Sequence, residues 1–91
     1  MYLLKLENKA VEDIAYLKKS GNKSIINKIE NILSELIEHP ETGIGKPERL
    51  KYSLSGKWSH RIDDKNRLIY KIDDNQVIVF VISAKGHYID K

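Results

Sequence analysis

The chain contains no cysteine among its 91 residues. Disulfides, thiolate metal sites and cysteine nucleophiles are therefore excluded, and the expected compartment is the cytoplasm. No apolar run approaches the ~20 residues needed to span a bilayer. Lys5 and Glu7 interrupt the early apolar stretch where a signal peptide needs continuity. The three histidines, His39, His60 and His87, are scattered without metal-ligand spacing, so no metal site is expected. Serines 53, 55 and 59 lack the G-x-S-x-G context of a serine hydrolase. A phosphate-cradling glycine motif is also missing, and no cofactor is called for.

What is present is one domain's worth of chain, 1–91, with 41% apolar and 32% charged residues. A chain of this length buries roughly two-thirds of its unfolded surface, enough for one modest core. The net charge of +3 is unevenly spread. Residues 1–45 carry six Lys, no Arg and seven acids, hence −1; residues 46–91 carry ten basic and six acidic residues, hence +4. All three arginines, Arg49, Arg61 and Arg67, lie in the basic half. Arginine suits bidentate contact with phosphate, so an anionic partner is indicated.

Apolar spacing divides the chain into a helical and a stranded half. Residues 1–6 read as a strand. Asn8 is a plausible cap for a helix over 9–19, with Glu12 and Asp13 near the positive end of its dipole. Ser20-Gly21 stops it. Asn22 caps a second helix over 23–38, whose Ile25, Ile29, Ile32 and Leu36 stripe faces a core. Pro40 ends that helix. Residues 40–56, with both prolines, read as a loop. Strands follow at 57–63, 66–73 and 76–83, joined by Asp- and Asn-rich turns, and the last should be central. The order βααβββ describes an α+β domain: a helical hairpin packed on a mostly antiparallel sheet.

Strand alternation then sorts the side chains. Trp58, Ile62, Leu68, Tyr70 and Ile72 share the core-facing parity, with Ile62 set near Leu68 and Trp58 near Ile72. Arg61 and Arg67 fall together on the outward face. Two adjacent cations need an anion or acid between them; a phosphate would serve, as would Asp63. Trp58 reads as a core anchor and His60 as a packed histidine. His39 sits at a helix end, where a cation suits the dipole.

Glu48, Lys51, Arg61, Arg67 and a closing His87-Tyr88 remain. Taken singly, the Lys46–Lys51 loop reads as solvated surface and His87-Tyr88 as a tail. Together they supply a base, an acid that titrates near neutrality and several cations. That kit suffices for metal-free RNA cleavage, because RNA carries its own 2′-hydroxyl nucleophile.

Four ordered motifs carry a resemblance. Gly45-Lys46-Pro47-Glu48-Arg49-Leu50-Lys51, Leu54-Ser55-Gly56-Lys57-Trp58-Ser59-His60-Arg61-Ile62, Asn66-Arg67-Leu68-Ile69-Tyr70 and His87-Tyr88 resemble the Txe/YoeB toxins of the RelE superfamily. The resemblance implies a type II toxin–antitoxin system and a toxin that enters the ribosomal A site and cuts bound mRNA. It implies Glu48 as general base, His87 as general acid and Arg67 as the phosphate-stabilising arginine. Arg61 and Lys51 would support phosphate and RNA backbone, and Tyr88 would orient substrate or acid. It also implies a YefM-like antitoxin and often a toxin homodimer. The basic half predicts that Lys46, Arg49, Lys51 and Lys57 lie around one cleft with Glu48, Arg61, Arg67, His87 and Tyr88. Two features depart from the family: Ile89-Asp90-Lys91 follows the His-Tyr pair, and His60 stands where arginine is common. The competing expectations are a ParE-like gyrase-inhibiting toxin on the same fold, which catalyses nothing, and a non-catalytic RNA- or ribosome-binding module.

Overall fold

A computed structural model describes residues 1–41, 47–50 and 55–84. Strand β1 (Leu3–Leu6) leads into helix α1 (Asn8–Lys19) and helix α2 (Lys23–Glu38). Four strands follow: β2 (Glu48–Arg49), β3 (Trp58–Arg61), β4 (Arg67–Asp73) and β5 (Ile78–Ser83). They form one sheet in the order β1-β5-β4-β3-β2. All neighbours are antiparallel except β1 and β5. The α+β architecture with a helical hairpin on a mostly antiparallel sheet is as the apolar spacing indicates, and β5 lies inside the sheet. None of the described helices is long and apolar enough to cross a membrane.

Helix α2 is set by its ends and its stripe. Asn22 Oδ1 accepts from the backbone N–H groups of Ser24 and Ile25, at 3.0 and 3.2 Å, satisfying two donors the helix leaves open. Ile29, Ile32 and Leu36 recur on one face and are buried. Each contributes about 1.5–3 kcal/mol on leaving water. The turn before it holds Gly21 at φ +74°, a conformation costly for residues with a Cβ.

Helix α1 differs from expectation at its start. It begins at Asn8, the cap position is Glu7, and no side chain caps it there. Asn8 is therefore inside the helix. Asp13 is no dipole partner either: it shares the buried stripe of Ala10, Ile14 and Leu17. The spacing 10, 13, 14, 17 is one face of a helix, and that phase decides its direction.

The core lies between the helices and one face of the sheet. Leu68, Tyr70, Val79 and Val81 join Ala10, Ile14, Ile29 and Leu36 there, with Leu4, Leu6, Trp58 and Ile72 packed around them. Tyr70 is wholly buried, and its hydroxyl donates to the Pro40 carbonyl at 2.6 Å. That bond holds the segment leaving α2 against the sheet. Burial pushes the Tyr70 phenol well above its ordinary pKa.

Two strand readings are corrected. Glu48–Arg49, assigned to a loop, forms the edge strand β2, pairing Glu48 with Ser59 and Arg49 with Trp58. In the β3–β4 hairpin, Trp58 pairs with Tyr70 and His60 with Leu68, two residues away from the expected register. A slip of two preserves parity, so every side chain keeps its expected face.

Candidate active site

Arg61 and Arg67 are directly opposite each other on β3 and β4, so both project from the sheet face away from the helices. Asp64, rather than Asp63, pairs with Arg61. Asp63 is occupied by the turn. Its Oδ1 accepts from the backbone N–H groups of Lys65 and Asn66 at 2.8 and 2.7 Å, and from the Asn66 side chain at 3.1 Å. Burial alone would raise its pKa, but these donors outweigh it and hold the carboxyl below its ordinary value.

Arg67 is held from two sides. Its Nε donates to Ser59 Oγ at 2.6 Å. Its guanidinium stands 3.5 Å from Glu48 Oε1. Ser59 is wholly buried, the Arg67 side chain is about one-fifth exposed, and the Glu48 side chain is mostly exposed. Strand pairing explains the meeting: Glu48 faces Ser59 across β2–β3, and Ser59 lies diagonal to Arg67 across β3–β4. Water screens the Glu48 end, so that ion pair contributes at most about 1 kcal/mol to stability. The Ser59 bond is partly buried and charge-assisted, and it fixes the direction of the guanidinium fork.

The structure thus brings Glu48, Arg61 and Arg67 onto one open face. Arg49 is not with them. Alternation turns it to the opposite face, where its guanidinium lies 5.4 Å from the centre of the Trp58 ring. Lys57 immediately precedes β3, and its carbonyl accepts from the Leu50 N–H at 2.9 Å. Lys46, Lys51, His87 and Tyr88 lie outside the described residues. Further along the outer face, Lys5 and Lys71 flank Phe80, with their ammonium groups 6.0 and 5.3 Å from the ring centre.

His60 is buried on the core side, as its parity indicates. Its Nδ1 donates to the Arg61 carbonyl at 3.2 Å. Burial holds its pKa below the ordinary value, with the cations Lys28 and Arg67 adding to the effect. Sequence reasoning missed Ser59 as a partner of Arg67. The signal was available in parity: Ser59 shares the outward face with Arg61 and lies within one strand spacing of Arg67.

A fixed arginine beside an accessible carboxylate on an open sheet face can bind an anion and move a proton next to it. Comparison with known proteins identifies the lineage. The YoeB-like toxin of bacterial type II toxin–antitoxin systems matches over residues 6–88. The chain belongs to this family. The toxin YoeB of Streptomyces coelicolor is 40% identical over 77 residues, spanning 85% of this chain and 88% of that protein. The YoeB–YefM complex from Staphylococcus aureus superposes with a TM-score of 0.78 at 36% identity, covering 97% of this chain and 99% of the matched one. The YoeB dimer from the same organism gives 0.79 at 34% identity, covering 96% and 98%. Glu48, Ser59, Arg61 and Arg67 all fall within the span shared with YoeB-like toxins.

Proposed function

We propose that this YoeB-family toxin is a ribosome-dependent endoribonuclease that cuts mRNA in the A site without a metal ion. The observation that supports it most is Arg67, oriented by buried Ser59 and paired with Glu48 on the open sheet face. Arg67 receives the scissile phosphate, with Arg61 beside it. The incoming phosphate competes with Glu48 for the guanidinium, which frees the carboxylate as it arrives. Glu48 then takes the proton from the 2′-hydroxyl, and that oxygen attacks the adjacent phosphorus. Arg67 stabilises the charge that develops on the phosphoryl oxygens. His87 protonates the departing 5′-oxygen, and Tyr88 orients it. Lys46, Lys51 and Lys57 contact RNA backbone. Arg49 serves from the strand edge, on the other side of β2.

A ParE-like toxin acting on gyrase without chemistry has no use for a carboxylate placed beside a fixed arginine. The family and the YoeB–YefM complex support a YefM-like antitoxin as the cellular partner, and the Staphylococcus aureus dimer supports self-association. Cytoplasmic ribosomes are the site of action.

Primer extension on ribosome-bound mRNA tests the reading. Wild type should cut within the A-site codon and leave a 2′,3′-cyclic phosphate or its opened form. His87→Ala should lose ~10²–10⁴-fold in the chemical step. A 2′-deoxy nucleotide at the cut site should abolish cleavage. Undiminished cutting of the deoxy substrate refutes these roles.

A further inference from the structure

The outer face of the sheet carries a second feature, away from Glu48, Arg61 and Arg67. One row across three strands reads Lys5, Phe80, Lys71: Phe80 on β5 pairs with Lys5 on β1 and with Lys71 on β4. Paired residues share a face, so all three project outward. Phe80 is half-buried, and both lysines are exposed. Their ammonium groups stand 6.0 and 5.3 Å from the ring centre. Among the described residues, neither ammonium is paired with a carboxylate. The core lies on the opposite face, so the ring does not pack the interior. A cation–π contact is weak at an exposed site, and an ammonium can leave the ring for a phosphate at little cost.

The surroundings give this row a direction. Toward the β4–β5 turn lies an open concavity of about 660 Å³, lined by Phe80, Lys71, Asn75 and Gln76 together with Asp73 and Asp74. It leaves room beside the ring for a planar group. Both carboxylates are engaged: Asp73 Oδ1 accepts from the backbone N–H groups of Asn75 and Gln76 at 3.0 and 3.2 Å, and Asp74 Oδ1 accepts from the Tyr2 hydroxyl at 2.6 Å. Their charge still repels phosphate from the turn end. The other way, Lys71 and Arg67 share one face of β4. Four residues of strand separate them, about 13 Å. A polyanion lying over Phe80 is thus barred from the turn and drawn along β4 toward the arginines.

We propose that Phe80 is a stacking platform for a base of single-stranded RNA, with Lys5 and Lys71 on the phosphates that flank it, on a track that runs along β4 to the scissile phosphate at Arg67. The inference rests on the ribonuclease reading above for the identity of the polyanion. A ring bracketed by two cations matches what a single strand offers: a π-face from the base and charge from the backbone. Such stacking is sequence-tolerant, because every base has a π-face. The row therefore adds grip without choosing the codon. An acidic peptide would use the two cations and leave the ring idle, and that difference decides the test.

Fluorescence anisotropy of a labelled 2′-O-methyl oligouridine, which the proposed chemistry cannot cut, reads binding by the full chain across a salt series. Phe80→Leu keeps an apolar side chain but loses the π-face, and should weaken binding by at least about fivefold. Phe80→Tyr keeps the ring and should bind within about twofold of wild type. Lys5→Gln and Lys71→Gln should each make the slope of log affinity against log salt shallower by about 0.7. Lys23, exposed on α2 in the helix layer, supplies the control of equal charge: Lys23→Gln should leave that slope unchanged.

Absence of oligonucleotide binding by wild type at low salt overturns the proposal. So does equal affinity of wild type, Phe80→Leu and Phe80→Tyr, even where the lysine variants lose affinity, since charge alone is then at work. If circular dichroism shows Phe80→Leu unfolded, the lysines still decide: slopes that match Lys23→Gln overturn it. Wild type that cuts ribosome-bound mRNA while Phe80→Leu binds undiminished removes this site and leaves the ribonuclease reading standing. Wild type that binds the oligonucleotide through Phe80 but cuts nothing refutes the ribonuclease reading and supports the stacking site.

Discussion

Replacing Ser59 by Ala removes one oxygen atom from a wholly buried position, and with it the acceptor of Arg67 Nε. Hydrogen bonds to charged groups are worth about 1.5–3 kcal/mol. The Arg67 side chain is about one-fifth exposed, so water recovers part of that bond, and the lower end of the range applies. The expected cost to folding is about 1.5 kcal/mol, read as a lower urea midpoint at unchanged slope. The Glu48 contact at the other end of the guanidinium survives the change, so Arg67 stays at the site but is no longer held in one direction. If the same 1.5–2 kcal/mol is lost from the transition state, single-turnover cleavage should slow by about 10- to 30-fold. Ser59→Cys, with its weakly accepting sulfur, should fall between wild type and Ala. The reasoning fails if Ser59→Ala cuts at the wild-type rate while Arg67→Ala is inactive. Arg67 would then matter without needing Ser59 to aim it.

Three further outcomes are expected. Tyr70→Phe strips the buried Pro40 carbonyl of its donor and should cost about 1–3 kcal/mol in chemical denaturation. Val77 holds a positive φ of 57° with a half-exposed, β-branched side chain; Val77→Asn should raise stability by about 1 kcal/mol, measured as a higher urea midpoint. Burial holds the folded His60 pKa below its ordinary 6.5, so on acidification the unfolded chain takes up a proton that the native state resists. Stability should therefore be full above that value and decline as pH falls through it toward the folded pKa, and His60→Gln should flatten the decline in urea titrations.

Much of the site was legible because strand parity is robust. The β3–β4 register differs from expectation by two residues, yet Arg61 and Arg67 still share a face, since only an odd slip reverses it. The pieces that escaped notice lack a period. Two residues cannot show alternation, so β2 was indistinguishable from the surrounding Pro- and Gly-bearing loop, and the Glu48–Ser59 pairing was hidden with it. Asp64 and Asp63 are adjacent and chemically identical. Only the turn's need for an acceptor at Lys65 and Asn66 decides which one is left for Arg61. By type Asp13 is an N-terminal helix acid, but its phase with Ala10, Ile14 and Leu17 turns it inward, and phase decides its place.

The parallel pairing of β1 with β5 also bears on when this protein comes into being. Leu3 meets Ile78, and Leu6 meets Val81, so the start of the chain must wait for nearly all the rest before it finds its place. Contacts so distant in sequence form late and slowly. During synthesis, β1 and the helices emerge with no sheet to receive them, because β4 and β5, which line the core, are made last. The strands that carry the Arg61–Arg67 pair and the segment that follows Ala84 are late as well. The face that carries the arginine pair is therefore assembled only after the helices and the first strand have been made and have waited for their partners.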